Sequence, residues 1–231
     1  MTSTAIILAG GLGTRLRSVV NELPKCMAPV NGRPFIDYVI HYLLQYNVKH
    51  FIFSVGYKSE AIINHIQTNY PKLNADFAIE ASPLGTGGGI QLAMSYVKEE
   101  NAIIVNGDTI FEADLHQLSS KHIQYTSVCT LALKPMKQFD RYGVVTIDDH
   151  HQVTGFQEKR YYDEGLINGG IYIVNKSSFL QHQFPEVFSF EKDFLEKYIG
   201  QENIIGYPSE AFFIDIGIPE DYERAQTLLK I

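Results

Sequence analysis

Short apolar runs alternate with helical patterns through the first half of the chain. The apolar runs predict strands over Ala5–Leu8, Phe51–Val55, Phe77–Glu80 and Ala102–Val105. Between them, apolar residues recur at helical spacing over Pro34–Tyr46, Ser59–Asn69 and Gly88–Lys98. Strands that alternate with helices are typical of βαβ units and a mainly parallel sheet. Such sheets bind ligands at the carboxyl ends of their strands, so we expect functional residues just after them.

The second half of the chain changes to short apolar runs separated by turns. These runs predict strands over Ser127–Leu133, Gly143–Ile147, Gln152–Gln157 and Gly170–Val174. Helical patterns cover Ser189–Ile199 and Pro219–Leu229. We interpret this half as a mixed extension of the sheet that forms the acceptor side of a cleft. No repeat or linker interrupts the sequence, so we expect a single domain over residues 1–231. Its two lobes would cover about residues 1–110 and 111–231.

The size and charge of the chain narrow the function classes. A length of 231 residues suits one α/β domain. The formal net charge of -7 and the pI near 5.6 argue against broad binding to nucleic acid or anionic membranes, so any phosphate site is local. The sequence shows neither an apolar run of membrane-spanning length nor a basic targeting region at its start. We therefore expect a cytoplasmic protein without nucleic-acid or membrane partners. The sequence is compatible with a homo-oligomer and does not fix the oligomeric state.

A glycine-rich segment, LAGGLGTRLR, follows the first predicted strand. Its glycines let backbone N–H groups approach a phosphate closely. The candidate nucleotide-binding residues here are Leu8, Ala9, Gly10, Gly11, Gly13 and Thr14. Phosphoryl transfer from a nucleoside triphosphate needs cations where negative charge gathers in the transition state. Arg15 would hold the leaving pyrophosphate, and Lys25, in the following ELPKC, would hold the α-phosphate or the bridging oxygen. For either cation taken alone, the alternative is a solvated basic surface.

Two aspartates follow apolar runs. Asp108 lies in VNGDT and Asp215 in FFIDIG. If both runs end in the same cleft, the two carboxylates can hold one Mg²⁺ that bridges phosphates. A helix cap or a turn is the alternative for each of them, and their spacing alone does not show that they meet.

A second glycine cluster, ASPLGTGGGI, leads into a predicted helix. It can close over a flat nucleobase with backbone groups, and a flexible loop at a helix start is the alternative. The candidate residues are Pro83, Gly85 and Thr86. The preceding Glu80 can accept two parallel N–H bonds, which suits guanine better than uracil or thymine unless its side chain faces outward.

Polar side chains and glycine turns in the second half suit a sugar pocket. They lie in FDRYG, QEK and NGG and include Arg141, Tyr142, Gly143, Glu158, Lys159 and Asn168. Lys159 is the candidate for holding the phosphate of the sugar, and Glu158 and Asn168 are candidates for its hydroxyls. A surface role is the alternative for each of them alone.

The two cysteines, Cys26 and Cys129, show no spacing typical of a zinc site or a disulfide framework. We expect both to be small, partly buried apolar residues. Lys25 could lower the thiol pKa of its neighbour Cys26, but we expect no catalytic role there.

Nine segments occur in the order found in bacterial sugar-1-phosphate nucleotidyltransferases, which the chain resembles over nearly its whole length. They are GGLGTRL, PKCMAPV, PLGTGG, NGDT, FDRYG, EK, NGGIYI, SFEKDF and FIDIGIPEDY. The resemblance implies an α/β, Rossmann-like nucleotidyltransferase fold, a mixed and mainly parallel sheet, one or two Mg²⁺ ions, and transfer from a nucleoside triphosphate to a sugar 1-phosphate. By position it makes Arg15 and Lys25 the phosphate-handling cations, Asp108 and Asp215 the metal ligands, and Lys159 the sugar-phosphate lysine. It also adds Gly107 to the nucleotide-binding residues.

Within that family, FDRYG, LINGGIY and FIDIGIPEDYERAQ look most similar to guanylyltransferases of D-glycero-α-D-manno-heptose 1-phosphate. The substrates implied are GTP and that sugar phosphate, and the product would supply cell-surface glycans. Mannose 1-phosphate guanylyltransfer and N-acetylmuramic acid 1-phosphate uridylyltransfer remain alternatives, since a few hydrogen bonds decide the base. A catalytically silent sensor of nucleotide sugars is disfavoured, because such a protein would be expected to lose some of the four charged candidates for catalysis. This chain keeps all of them: Arg15, Lys25, Asp108 and Asp215. A NAD-dependent oxidoreductase is disfavoured because the loop is GGxG rather than GxGxxG.

Overall fold

The computed structural model describes residues 2–11 and 23–230. The strands within these ranges are β1 (Thr4–Leu8), β2 (Pro29–Val30), β3 (Arg33–Pro34), β4 (His50–Val55), β5 (Ala75–Ile79), β6 (Asn101–Asn106), β7 (Thr109–Phe111), β8 (Cys129–Phe139), β9 (Val144–Ile147), β10 (Val153–Gln157), β11 (Tyr162–Asn175), β12 (Ile204–Pro208) and β13 (Phe213–Asp215). The α-helices are α1 (Phe35–Gln45), α2 (Ser59–Asn69), α3 (Gly85–Met94), α4 (Leu115–Gln124), α5 (Lys176–Leu180) and α6 (Pro219–Leu228). A 3₁₀ turn covers Lys25–Met27 and a π-helix covers Phe190–Glu196.

Strands from both halves of the described chain form one nine-stranded sheet. Its main order is β10-β9-β11-β6-β1-β4-β5, and β8 pairs with both β11 and β12. β1 is parallel to β4 and β6, with Leu8 opposite both Ser54 and Asn106. The carboxyl ends of these strands therefore lie side by side. β11 runs antiparallel to β6, which confirms the predicted α/β fold with a mixed sheet.

Helices cover both faces of this sheet. Successive residues of a strand point to opposite faces, so the fully buried Ile6 and Ile7 contribute to separate cores. Ile7 packs in the cluster that contains Phe35 of α1, and Ile6 in the one that contains Ile90 of α3. Burial on both sides explains why the central strands read as continuous apolar runs. No helix over 2–11 and 23–230 combines the length and apolar character that a bilayer crossing requires.

The predicted strand Gly170–Val174 was too short. β11 begins at Tyr162, and its pairing with β8 shifts register between Asn168 and Tyr172. Gly170 has a φ of 73°, a conformation that glycine adopts without strain. Glycines that resemble a turn in the sequence therefore form an irregularity inside a long strand. β8 likewise continues to Phe139, beyond the predicted end at Leu133.

Other element boundaries also differ from the predictions. α3 begins at Gly85 and ends at Met94, whereas the pattern predicted Gly88–Lys98. The predicted helix Ser189–Ile199 is the shorter π-helix, whose first turn is capped by Ser189. The apolar pattern did not predict α4, α5, β7 or β12. α5, β7 and β12 are too short to give a clear periodic signal. α4 is longer, but its buried face includes the polar Ser119 and His122.

Candidate active site

A cavity of about 410 Å³ opens where β1, β4 and β6 end. The candidate site residues that line it are Leu8, Ala9, Gly10, Gly11, Lys25, Glu80, Pro83, Gly85, Thr86, Gly107 and Asp108. The glycine-rich segment after β1 and the one that begins α3 therefore face the same space. The candidates Gly13, Thr14 and Arg15 lie outside the described residues.

Lys25 lies between the two candidate metal ligands. Its Nζ is 2.6 Å from Asp108 Oδ2 and 3.3 Å from Asp215 Oδ1. The 3₁₀ turn that starts at Lys25 is fixed because the buried side chains of Cys26 and Met27 pack in the core. All three charged side chains keep partial contact with solvent, as expected of groups that meet a substrate.

A short antiparallel ladder brings the two aspartates together. β13 pairs with β7, with Asp215 opposite Thr109, the residue after Asp108. The backbone N–H of Ile216 donates to the carbonyl of Asp108 at 3.1 Å, and the N–H of Gly217 donates to Asp215 Oδ1 at 2.7 Å. Backbone pairing thus holds both carboxylates beside one ammonium group.

This donor set fits Mg²⁺. Mg²⁺ in phosphate-transfer sites takes one or two carboxylates and completes its shell with water and substrate oxygens. Asp108 and Asp215 already converge on one cation, Lys25. Within the described residues, no cluster of three or more acidic, histidine or cysteine side chains offers a complete protein cage. The two aspartates therefore match a metal site that the substrate completes.

Glu80 follows β5 and faces the cavity. Its Oε2 accepts a hydrogen bond from the N–H of Leu84 at 3.1 Å, and its Oε1 accepts one from Ser54 Oγ at 3.5 Å. The side chain lies against Gly10 and Gly89, so the carboxylate is held in the site. A carboxylate has about four acceptor positions, so these bonds leave capacity for a ligand.

Gly87, inside the second glycine cluster, packs closely against Phe188. A Cβ on Gly87 would lie 2.2 Å from Phe188 Cε2, and the Gly87 N–H donates to the carbonyl of Phe188 at 3.0 Å. The missing side chain thus admits the Phe188 segment onto the start of α3. The nucleobase contact predicted for Pro83, Gly85 and Thr86 stays a prediction. The cavity still contacts Gly85, Thr86 and Gly89.

Arg141 and Tyr142 lie beside the aspartate site. Arg141 forms an ion pair with Asp221, and Tyr142 Oη donates to Asp215 Oδ2 at 3.3 Å. Burial and the charge of Asp215 raise the pKa of Tyr142 well above its ordinary value, so the phenol stays a donor. Desolvation opposes the charge of Arg141, but Asp221 outweighs it and raises the pKa of Arg141.

The other sugar-site candidates are more dispersed. Gly143 packs closely against the carbonyl of Gln157. Glu158 and Lys159 are exposed after the end of β10 and are not among the described residues that line the cavity. Asn168 is partly buried, and its Nδ2 donates to Tyr172 Oη at 2.8 Å. Their sugar-binding roles remain predictions.

The cavity also contains residues that the sequence analysis did not select. They are Cys26, Ser54, Gly89, Asn106, Glu191 and Gly217. Asn106 and Gly217 each lie two residues from a selected aspartate, in NGDT and IDIG, so these motifs could have identified them.

The possibility of a lowered Cys26 pKa was wrong: burial, assisted by Asp108, raises the pKa of its thiol to about 12. Cys129 is also buried and free, as expected.

The fold and this cavity define a nucleotidyltransferase. Residues 4–230 match the Nucleotidyl transferase family, and the chain belongs to it. It is 50% identical over 226 residues to a D-glycero-alpha-D-manno-heptose 1-phosphate guanylyltransferase of Aneurinibacillus thermoaerophilus, covering 98% of each chain. It is 43% identical to the protein of that name from Campylobacter jejuni, covering 94% of this chain and 96% of the relative.

A solved structure of similar sequence has the same fold. HddC from Yersinia pseudotuberculosis, complexed with GMP-PN, superposes with a TM-score of 0.88 at 38% identity. The match covers 98% of this chain and 99% of HddC. The predicted family and fold are therefore confirmed.

Proposed function

We propose that this chain transfers a guanylyl group from GTP to D-glycero-α-D-manno-heptose 1-phosphate and releases pyrophosphate. The observation that carries the proposal is one cavity lined by Glu80, suited to guanine, and by Lys25 and Asp108, suited to phosphates. The guanylyltransferases of heptose 1-phosphate that are 50% and 43% identical over nearly the whole chain support the choice of base and sugar. GDP-heptose made in the cytoplasm would then supply cell-surface glycans.

The reaction requires two anions to approach each other. An oxygen of the sugar phosphate attacks the α-phosphorus in line, and pyrophosphate leaves. The ammonium of Lys25 has three N–H donors, of which two face Asp108 and Asp215. The third is available for an oxygen of the α-phosphate, where it would stabilise the charge of the transition state. Arg15 would hold the leaving pyrophosphate.

Asp108 and Asp215 would hold Mg²⁺, which when bound would supply positive charge to the phosphates. The backbone bonds around Ile216 and Gly217 keep the two carboxylates in place before substrate arrives. Tyr142 donates to Asp215 and so orients the second carboxylate. Preorganisation of this kind lowers the reorganisation needed during the reaction.

Glu80 would select guanine. Guanine presents N1–H and an exocyclic amine side by side, and a carboxylate can accept from both. The bonds from Leu84 and Ser54 fix the orientation of that carboxylate. Gly10, Gly11 and Gly107 would contribute backbone groups to the nucleotide. The sugar phosphate would bind toward Arg141, Tyr142 and Asn168, with Lys159 closing on its phosphate.

We also propose that residues 1–231 act as one domain, with the nucleotide bound mainly by the first lobe and the sugar phosphate by the second. The continuous sheet that takes strands from both halves supports this division of roles.

Pyrophosphate release tests the proposal. GTP, UTP, CTP, ATP and dTTP are each combined with the 1-phosphates of manno-heptose, mannose, glucose and N-acetylmuramic acid, with and without Mg²⁺. We expect strong release only for GTP with the manno-heptose phosphate. Release with mannose 1-phosphate or with UTP would overturn the sugar or the base, respectively, and no release from any pair would favour a silent sensor.

A further inference from the structure

Glu191 is an acidic side chain in the cavity for which the proposed reaction has no role. It lies in the π-helix, far along the chain from the glycine-rich segments, and lines the same cavity as Glu80 and Lys25. An unused carboxylate in a site that binds phosphates would repel the substrate unless it contacts a hydrogen-bond donor on that substrate. Its surroundings indicate which donor that is.

Two hydroxyl groups hold the Glu191 carboxylate. Thr86 Oγ1 donates to Glu191 Oε2 at 2.7 Å, and Ser189 Oγ donates to the same oxygen at 2.8 Å. Thr86 Oγ1 is itself fixed, since it accepts from the N–H of Phe190 at 2.9 Å. Both described hydrogen bonds thus fall on Oε2. Oε1 keeps its acceptor capacity for a ligand.

The position of Glu191 points to the sugar side of the cavity. Tyr172 is fully buried, and its ring packs edge-on against that of Phe190, the residue before Glu191, with 5.1 Å between the ring centroids. Burial, and after it the charge of Glu191, raises the pKa of Tyr172. Tyr172 Oη accepts from Asn168 Nδ2, and Asn168 is a sugar-site candidate. The Phe190–Glu191 segment therefore contacts both Thr86, at the start of α3, and Tyr172, the partner of Asn168.

We propose that Glu191 binds a vicinal diol of the sugar 1-phosphate and thereby selects the sugar, an inference that rests on the proposed function. A carboxylate can accept hydrogen bonds from neighbouring hydroxyls, and a site built for a hydroxyl strongly rejects an analogue without it. The ribose of the nucleotide carries the same diol. The packing of Phe190, the neighbour of Glu191, on Tyr172, which in turn binds Asn168, favours the sugar.

The test compares wild type with Glu191→Gln, which keeps the shape but loses one acceptor. Glu196→Gln is the matched control, because Glu196 lies on the same π-helix and is exposed. Calorimetry measures the Kd of manno-heptose 1-phosphate and of GTP separately, and steady-state assays give KM for each. For Glu191→Gln we expect Kd and KM for the sugar phosphate to rise at least about tenfold, with the Kd of GTP within about twofold. Glu196→Gln should match wild type.

Two more comparisons separate the outcomes. Thr86→Val removes the hydroxyl that orients Glu191 and should weaken sugar binding, whereas Thr86→Ser should restore it. If Glu191→Gln raised the Kd of GTP but left that of 2′-deoxy-GTP unchanged, the diol would lie on the ribose. That result would overturn the sugar assignment. Equal sugar affinity in Glu191→Gln and wild type, or no sugar binding by wild type, would also overturn it. The proposed function fails by a different result, namely no pyrophosphate release by wild type.

Discussion

Lys25 Nζ lies 2.6 Å from Asp108 Oδ2, and the same ammonium contacts Asp215. The lysine therefore stands where the two carboxylates converge and neutralises part of their mutual repulsion. A metal ion held by these aspartates would have to share that space with the ammonium. Binding of substrate would then draw one N–H of Lys25 toward a phosphate.

Lys25→Met should strengthen the binding of Mg²⁺ in the absence of nucleotide. Removal of the ammonium leaves two neighbouring carboxylates without their cation, and a metal ion can replace it. We expect Mg²⁺ to raise the Tm of Lys25→Met more than that of wild type, in thermal melts at matched ionic strength. The double variant with Asp215→Asn should lose this extra rise. An equal Mg²⁺ effect on wild type and Lys25→Met would contradict a shared cation site.

Asp108→Ala and Asp215→Ala should each abolish Mg²⁺-dependent pyrophosphate release, by about a hundredfold or more in kcat. The fold should persist because β7 and β13 pair through backbone groups. Turnover is measured over a Mg²⁺ titration, alongside circular dichroism as the check on folding. Near-normal turnover in either variant would remove that residue from the metal site.

The strands and helices of the first half could be predicted because their signal is local. The Ser59–Asn69 helix has the predicted bounds, and the apolar run at Phe51–Val55 forms most of β4. Burial on both faces of a central strand leaves a continuous apolar run in the sequence. The order of the motifs likewise identified the family.

Contacts between distant residues could not be predicted in this way. The β7–β13 ladder that brings Asp108 beside Asp215 is too short to produce a periodic pattern. The contact of Phe188 with Gly87 explains why a glycine is needed there, but nothing in the glycine-rich segment itself indicates that contact. The hydrogen bonds that fix Glu191 also join segments far apart in the chain. These features depend on tertiary packing, which overrides local propensity.

Glu80→Gln should lower kcat/KM for GTP by about a hundredfold, because one acceptor for guanine becomes a donor that faces another donor. The Gln carbonyl can still accept from the N–H of Leu84, so the loop should keep its shape. Rates are measured with GTP and with inosine triphosphate, which lacks the exocyclic amine. We expect wild type to prefer GTP strongly and Glu80→Gln to lose that preference. An unchanged preference would show that Glu80 does not read the base.

Asp221→Ala should lower the free energy of unfolding by about 2 kcal/mol, whereas Arg224→Ala should change it by at most about 0.5 kcal/mol. Asp221 is buried and pairs with both Arg141 and Arg224, so its loss removes the ion-pair partner described for Arg141. Arg224 is 64% exposed, and solvent screens its contribution. Urea unfolding of both variants checks the difference. Equal costs would indicate that Asp221 contributes only through the exposed pair.

His122 should make the stability of the protein depend on pH between about 6.5 and 4. Its ring is buried, with Nδ1 3.0 Å from Thr130 Oγ1 and Nε2 3.1 Å from Asn101 Oδ1, and burial lowers its pKa to about 4. Below pH 6.5 the unfolded chain binds a proton that the folded chain excludes, so stability falls with pH until the folded pKa is reached. The loss should total about 3 kcal/mol. Urea unfolding at several pH values should show this slope in wild type and a smaller one in His122→Asn. Equal slopes in the two proteins would mean that His122 does not titrate differently on folding.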